Sequence, residues 1–144
     1  MPTQQKKWPG ISVPDEDKKL IDRLIKQDGV LRSMDMKDLL MLAASIAVKK
    51  GAPELFDIKS GTNQIVHPTL LNDSGYREYR QYIALIFYLT NGNKQLTNMS
   101  NTTIMTKNFI DYAQRGLRIL ELDYLENKDS SNKMVGELLQ LLTK

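Results

Sequence analysis

The chain has 144 residues, 41% of them hydrophobic and 26% charged, so it is long enough for one ordinary domain with a core of its own and is not a disordered tail. It has no cysteine, which excludes disulfides, thiolate metal sites and cysteine nucleophiles, and no apolar run approaches the ~18 residues of a membrane helix. The net charge is +3, a mildly basic balance that permits contact with nucleic acid without requiring it. With no visible signal peptide either, the expected setting is the cytoplasm, with no membrane partner.

Residues 1–11 are polar and carry Pro2, Pro9 and Gly10, so the reading is a flexible tail on a single helical domain over 12–144. Within the tail, Lys6-Lys7-Trp8 is a candidate arm, with Lys6 and Lys7 on phosphate and the Trp8 indole on a base or a partner pocket; the equal alternative is an ordinary terminus with Trp8 folded onto the domain. A first helix is expected from Ser12-Val13-Pro14-Asp15, with Ser12 as cap and Asp15, Glu16 and Asp17 at the positive end of the dipole, to about Asp28 before Gly29. Helical spacing puts Leu20, Ile21, Leu24 and Ile25 on one side and Lys19, Arg23 and Lys26 on the other.

A second helix is expected after Asp35, ending in Lys49-Lys50-Gly51, with Leu39, Leu40, Ala43, Ile46 and Ala47 on its buried face. Residues 41–48 are apolar nearly all round, which marks the central helix of the fold. That character argues against this helix reading a DNA groove as the second half of a helix-turn-helix. Between 52 and 75, Pro53, Gly61, Pro68 and Gly75 interrupt any long helix, and a small β-hairpin near 54–66 is expected from Leu55-Phe56-Asp57-Ile58 and Gln64-Ile65-Val66. A third long helix follows over about Tyr76–Leu89, with Tyr79, Ile83, Ile86 and Phe87 inward, joined by Tyr82 and Leu89. A fourth spans about Thr103–Asn127 with Phe109, Ile110, Ala113, Leu117, Leu120 and Tyr124, bent at Gly116, and a last short helix covers Met134–Thr143. The fold class is therefore all-α, a compact bundle of about five helices with a small hairpin.

The search for chemistry finds no catalytic constellation, and the chain is expected not to be an enzyme. His67 is the single imidazole, no serine sits in a nucleophile elbow, and no set of His and Cys ligands exists for a zinc site. Pro14-Asp15 and Glu16-Asp17-Lys18 superficially resemble metal-dependent nuclease elements, but all lie in one helical start, where carboxylates serve the dipole. Asp123 and Glu126 share a helix face that a hard cation could use, although a solvated face is the simpler reading. No metal and no cofactor is therefore expected.

Basic residues remain as the functional candidates. Lys19, Arg23 and Lys26, with the pairs Arg77 and Arg80 and Arg115 and Arg118, would form a DNA-backbone surface if the fold gathered them. In the last helix, Leu138, Leu139, Leu141 and Leu142 exceed one apolar stripe and are candidates for seating a protein partner or a second copy of the chain.

Three stretches carry a resemblance. They are Met36-Lys37-Asp38-Leu39-Leu40-Met41-Leu42-Ala43-Ala44-Ser45 leading to Lys49-Lys50-Gly51-Ala52-Pro53, then Ile83-Ala84-Leu85-Ile86, then Phe109-Ile110-Asp111-Tyr112-Ala113-Gln114-Arg115-Gly116-Leu117-Arg118-Ile119-Leu120. Their order, over about residues 20–142, resembles the small Dnd-system associated protein 4 family of DNA phosphorothioation. The resemblance implies a setting in which sulfur replaces a non-bridging phosphate oxygen of host DNA and partner proteins restrict invading DNA. It implies an accessory component with no assigned reaction, whose partners are other protein subunits of a defence system and double-stranded DNA, and it supplies no catalytic residue. A small DNA-binding transcriptional regulator is the alternative function. Tyr112, Ala113, Gly116 and Leu117 match the motif, and their expected role is helix packing. Gly116 costs about 1 kcal/mol against alanine inside a helix, so a closely approaching backbone is expected there.

Overall fold

The computed structural model describes residues 7–26, 31–32, 34–51, 62–91 and 101–122. In chain order these form β1 (Ile11–Val13), α1 (Asp15–Lys26), α2 (Met36–Lys50), β2 (Asn63–Val66), α3 (Pro68–Leu71), a 3-10 turn (Ser74–Tyr76), α4 (Arg77–Asn91) and α5 (Thr102–Leu120). The expected all-α bundle with a small antiparallel pair is what the chain forms. The expected helix over 134–143, the strand at 55–58 and the helix ends at Gly29 and Asn127 lie outside the described residues.

Central to the fold is α2, where Leu39, Leu40, Leu42, Ala43, Ala44, Ile46 and Ala47 are all buried. Asp35 stands at its N-cap without a side-chain capping bond, because its carboxylate is engaged by Lys37. Gly51 closes the helix at φ 59°, where its N–H reaches the carbonyls of Ala47 and Val48. The main partner of α2 is α5. Phe109, Ala113, Gly116, Leu117 and Leu120 form the buried seam of α5. A Cβ built on Gly116 would stand 2.7 Å from Ala43 Cα and closer still to the Ala43 carbonyl, so the two helices touch backbone to backbone at this point. The bend expected at Gly116 is not needed, since α5 runs as α-helix through it.

Aromatic packing joins α4 to this pair. Tyr79 and Tyr82 both meet the Phe109 ring edge-on, with centroids 5.8 Å and 6.3 Å away. Tyr79, Ile83, Ile86 and Phe87 are buried as expected, whereas Leu89 points outward.

The small sheet is built differently from a local hairpin. β2 falls in the expected stretch, but its antiparallel partner is β1, with Ile11 opposite Val66 and Val13 opposite Asn63. Ser12 is therefore a strand residue and not a cap, and the first bond of α1 runs from the Lys18 N–H to the Pro14 carbonyl at 3.0 Å. Residues read as a tail reach into the domain: Ile11 is fully buried and Trp8 packs against the core. The Asn72 side chain holds Trp8 by both backbone groups, its Oδ1 accepting from the Trp8 N–H and its Nδ2 donating to the Trp8 carbonyl, each at 2.8 Å. Thr102 Oγ1 donates to the Lys7 carbonyl at 2.7 Å, which fixes the next residue outward.

Candidate functional site

Three surfaces emerge from this packing. The first lies between α1 and the end of α5, a cleft of about 270 Å³ lined by Glu16, Lys19, Leu20, Arg23, Arg118 and Glu121. Beside it is an ion pair that composition alone could not place: Arg118 Nη2 donates to Asp17 Oδ1 at 2.7 Å, and Asp17 is 1% exposed. Burial pushes the Asp17 carboxyl up from its ordinary value, more than the charge and hydrogen bond of Arg118 pull it down. Across the cleft Arg23 approaches Glu121 at 3.9 Å. The cleft therefore mixes both signs of charge.

The second surface is a pocket of about 370 Å³ between the start of α2 and the start of α4. Tyr76, Tyr79, Tyr82 and Met41 line it together with Lys37, Asp38, Glu78 and Gly75. Tyr79 Oη donates to the Lys37 carbonyl at 2.6 Å, and Tyr82 Oη donates to the Met41 carbonyl at 3.1 Å beside Ser45 Oγ. Burial, helped by the nearby Asp38, raises the Tyr79 phenol well above its usual value, and burial pushes Tyr82 up to about 12. Burial also pulls Lys37 down, but Asp38 and Asp35 outweigh it and hold its ammonium above the ordinary lysine value.

The third surface is the outer side of α4. Leu85 is 49%, Tyr88 43% and Leu89 56% exposed. Spaced three and four apart, they lie on one helical face.

The sequence-predicted basic residues do not all converge. Lys19, Arg23 and Lys26 lie exposed along α1, and Lys19 and Arg23 share the first cleft with Arg118. Arg80 instead ties down the loop before α4, donating to the carbonyls of Leu71 and Asp73 at 2.7 and 2.6 Å. Arg115 is held by Asp111 through two hydrogen bonds and stacks 4.6 Å above the Tyr112 ring. Arg77 is exposed at the start of α4, one turn before Arg80. Lys7 is exposed. Lys6, Leu138, Leu139, Leu141 and Leu142 lie outside the described residues, as do Asp123 and Glu126.

His67 caps α3, its Nδ1 accepting from the Thr69 N–H at 3.1 Å. Among the described residues no group of three or more His, Cys, Asp or Glu side chains could hold a metal ion. No described helix is long and apolar enough to cross a membrane.

The family model for DNA sulphur modification system-associated protein 4 matches residues 10–144. The chain belongs to this family. No curated protein and no solved structure matches it. In this member of the DNA sulphur modification system-associated family, the motif that carried the resemblance is a packing motif: Ala113, Gly116 and Leu117 are buried against α2 and Tyr112 lies under Arg115.

The buried ion pair of Asp17, which the sequence assigned only to the helix dipole, and the pocket formed by the tyrosine trio escaped the sequence reading, yet both left a signal. Asp17 stands three, four and seven residues before Leu20, Ile21 and Leu24, on their face of α1. Tyr76, Tyr79 and Tyr82 recur every third residue.

Proposed function

We propose that the protein is a non-catalytic accessory subunit of a bacterial DNA-modification and antiphage defence system, acting in the cytoplasm through contacts with the other protein subunits. The observation that carries this reading is the outward face of α4. Leu85, Tyr88 and Leu89 keep roughly half their surface in water on a helix whose other side is fully packed. Apolar clusters of this kind mark contact surfaces in proteins that otherwise bury such groups. The polar chemistry is turned inward: Asp17 is held by Arg118, Arg115 by Asp111, and the phenols of Tyr79 and Tyr82 by α2 carbonyls. Membership of a family associated with a DNA sulphur modification system supplies the natural partners.

The test is co-expression with the other components of that system and affinity purification through this chain. The expected result is a stoichiometric complex that Leu89→Asp or Leu85→Asp disrupts while the helical circular dichroism signal stays unchanged. Absence of every system component from the purified material, or a complex indifferent to both substitutions, would overturn the reading.

A second reading rests on α1. Lys19, Arg23 and Lys26 are exposed along one edge and are placed to contact a DNA backbone. It expects duplex binding that falls steeply with salt and weakens in Lys19→Glu and Lys26→Glu. Absence of any shift on duplex DNA at low salt would remove it, together with the regulator alternative.

A further inference from the structure

We infer that the tyrosine-lined pocket between α2 and α4 is a receptor for an arginine side chain of a protein partner. The argument starts from which hydrogen-bonding groups the pocket has left to offer. The hydroxyl hydrogens of Tyr79 and Tyr82 are directed to the carbonyls of Lys37 and Met41. Ser45 Oγ, beside Tyr82, donates to the same Met41 carbonyl at 2.9 Å. The Lys37 ammonium, the one cation in the lining, is held at 3.4 Å by Asp35 and 3.3 Å by Asp38. The side-chain donors are thus engaged apart from the Tyr76 hydroxyl, which can turn to present its lone pairs instead.

What remains is acceptor-rich: the carboxylates of Asp38 and Glu78, phenol oxygen lone pairs, and three tyrosine rings with the Met41 thioether. Two carboxylates line the pocket against one lysine, and Asp35 adds a third just outside. An anion would meet two carboxylates and, among the side-chain donors of the lining, only the Tyr76 hydroxyl free. A flat cation rich in N–H donors complements the carboxylates, the oxygen lone pairs and the ring faces, and guanidinium fits that description better than the compact, strongly hydrated ammonium of lysine. The volume of about 370 Å³ lies at the small end of ligand sites, enough for one side chain.

The inference rests on the reading that the protein works by binding another subunit, but its test needs only this chain. The full-length protein, labelled at its methionine methyls, is titrated by NMR with N-acetyl-arginine amide, and in parallel with the neutral N-acetyl-citrulline amide and with inorganic phosphate. Met41→Leu assigns the methyl signal of the pocket.

The expected result is a saturable shift of that signal with the arginine compound and little response to the other two. Glu78→Gln, at an exposed position, weakens binding by roughly five- to tenfold. Lys37→Met removes the competing cation and tightens it several-fold. Equal binding of the citrulline compound, preference for phosphate, no binding of any probe, or weaker binding in Lys37→Met would each overturn the inference. Because no other component is present, failure here is distinct from failure of the α4 contact.

Discussion

Gly116→Ala is the substitution whose sign is decided by a single contact. In an isolated helix it would stabilise by about 1 kcal/mol, since alanine is the better helix former. Here the new Cβ would lie 2.7 Å from Ala43 Cα and nearer still to the Ala43 carbonyl. Carbon atoms rest at ~3.5–4.0 Å, and the carbonyl is the limiting contact, so α2 and α5 must part by more than about 1 Å, a gap that forfeits roughly half or more of each dispersion contact it opens. The seam it opens holds Leu39, Ala43, Ile46 and Ala47 facing Phe109, Ala113 and Leu117, all fully buried.

Overpacking of this kind costs about 1–3 kcal/mol, at the upper end when backbone must move. Set against the propensity gain, the expected net loss is about 2 kcal/mol, or a melting point lower by roughly 6 °C. Urea denaturation followed by circular dichroism measures it, with an unchanged m-value. Ala43→Gly should not rescue the variant, because the clash is with main chain and not with the Ala43 methyl. A stabilised Gly116→Ala protein, or full rescue by Ala43→Gly, would refute the backbone contact.

The buried ion pair gives a prediction with a pH sign. Because burial raises the folded-state pKa of Asp17 above the unfolded value of about 3.9, the proton favours the folded state. Its contribution is therefore greatest below that value and is lost as pH rises through the folded pKa; Asp17→Asn should flatten this slope in a pH series of urea melts. Arg118→Met leaves a buried, uncompensated carboxylate and should cost about 3–5 kcal/mol at neutral pH, whereas Asp17→Asn should cost within about 1 kcal/mol. Asn72→Ala removes the two bonds that hold Trp8 and should destabilise by roughly 1–2 kcal/mol, with a red shift of Trp8 emission; an unshifted spectrum would show that the indole is held by other means.

Helices were legible in the sequence wherever apolar spacing and an end signal agreed. The Gly51 stop of α2, the Asp35 start and the inward faces of α2, α4 and α5 all follow from local pattern. Gly116 was legible too, because a glycine inside a strong helical pattern needs a steric reason. The partner of β2 was not, since strand pairing between residues 50 positions or more apart leaves no mark in either local segment. The same limit hid Arg118 beside Asp17, 101 residues away. Sequence spacing already set Asp111 one turn before Arg115 as an ion-pair partner, but could not show that Arg80 faces the carbonyls of Leu71 and Asp73. The tyrosine pocket needed two helices in contact, and only the fold supplies that.

The pairing of β1 with β2 has a consequence for synthesis on the ribosome. Ile11 and Val13 leave the exit tunnel early, but the strand that shelters them ends at Val66 and the α5 seam beyond it comes later still. During that interval two apolar side chains of β1 have no lasting shelter. Engagement of β1 is a late, non-local event, and the waiting strand is where a chaperone would act.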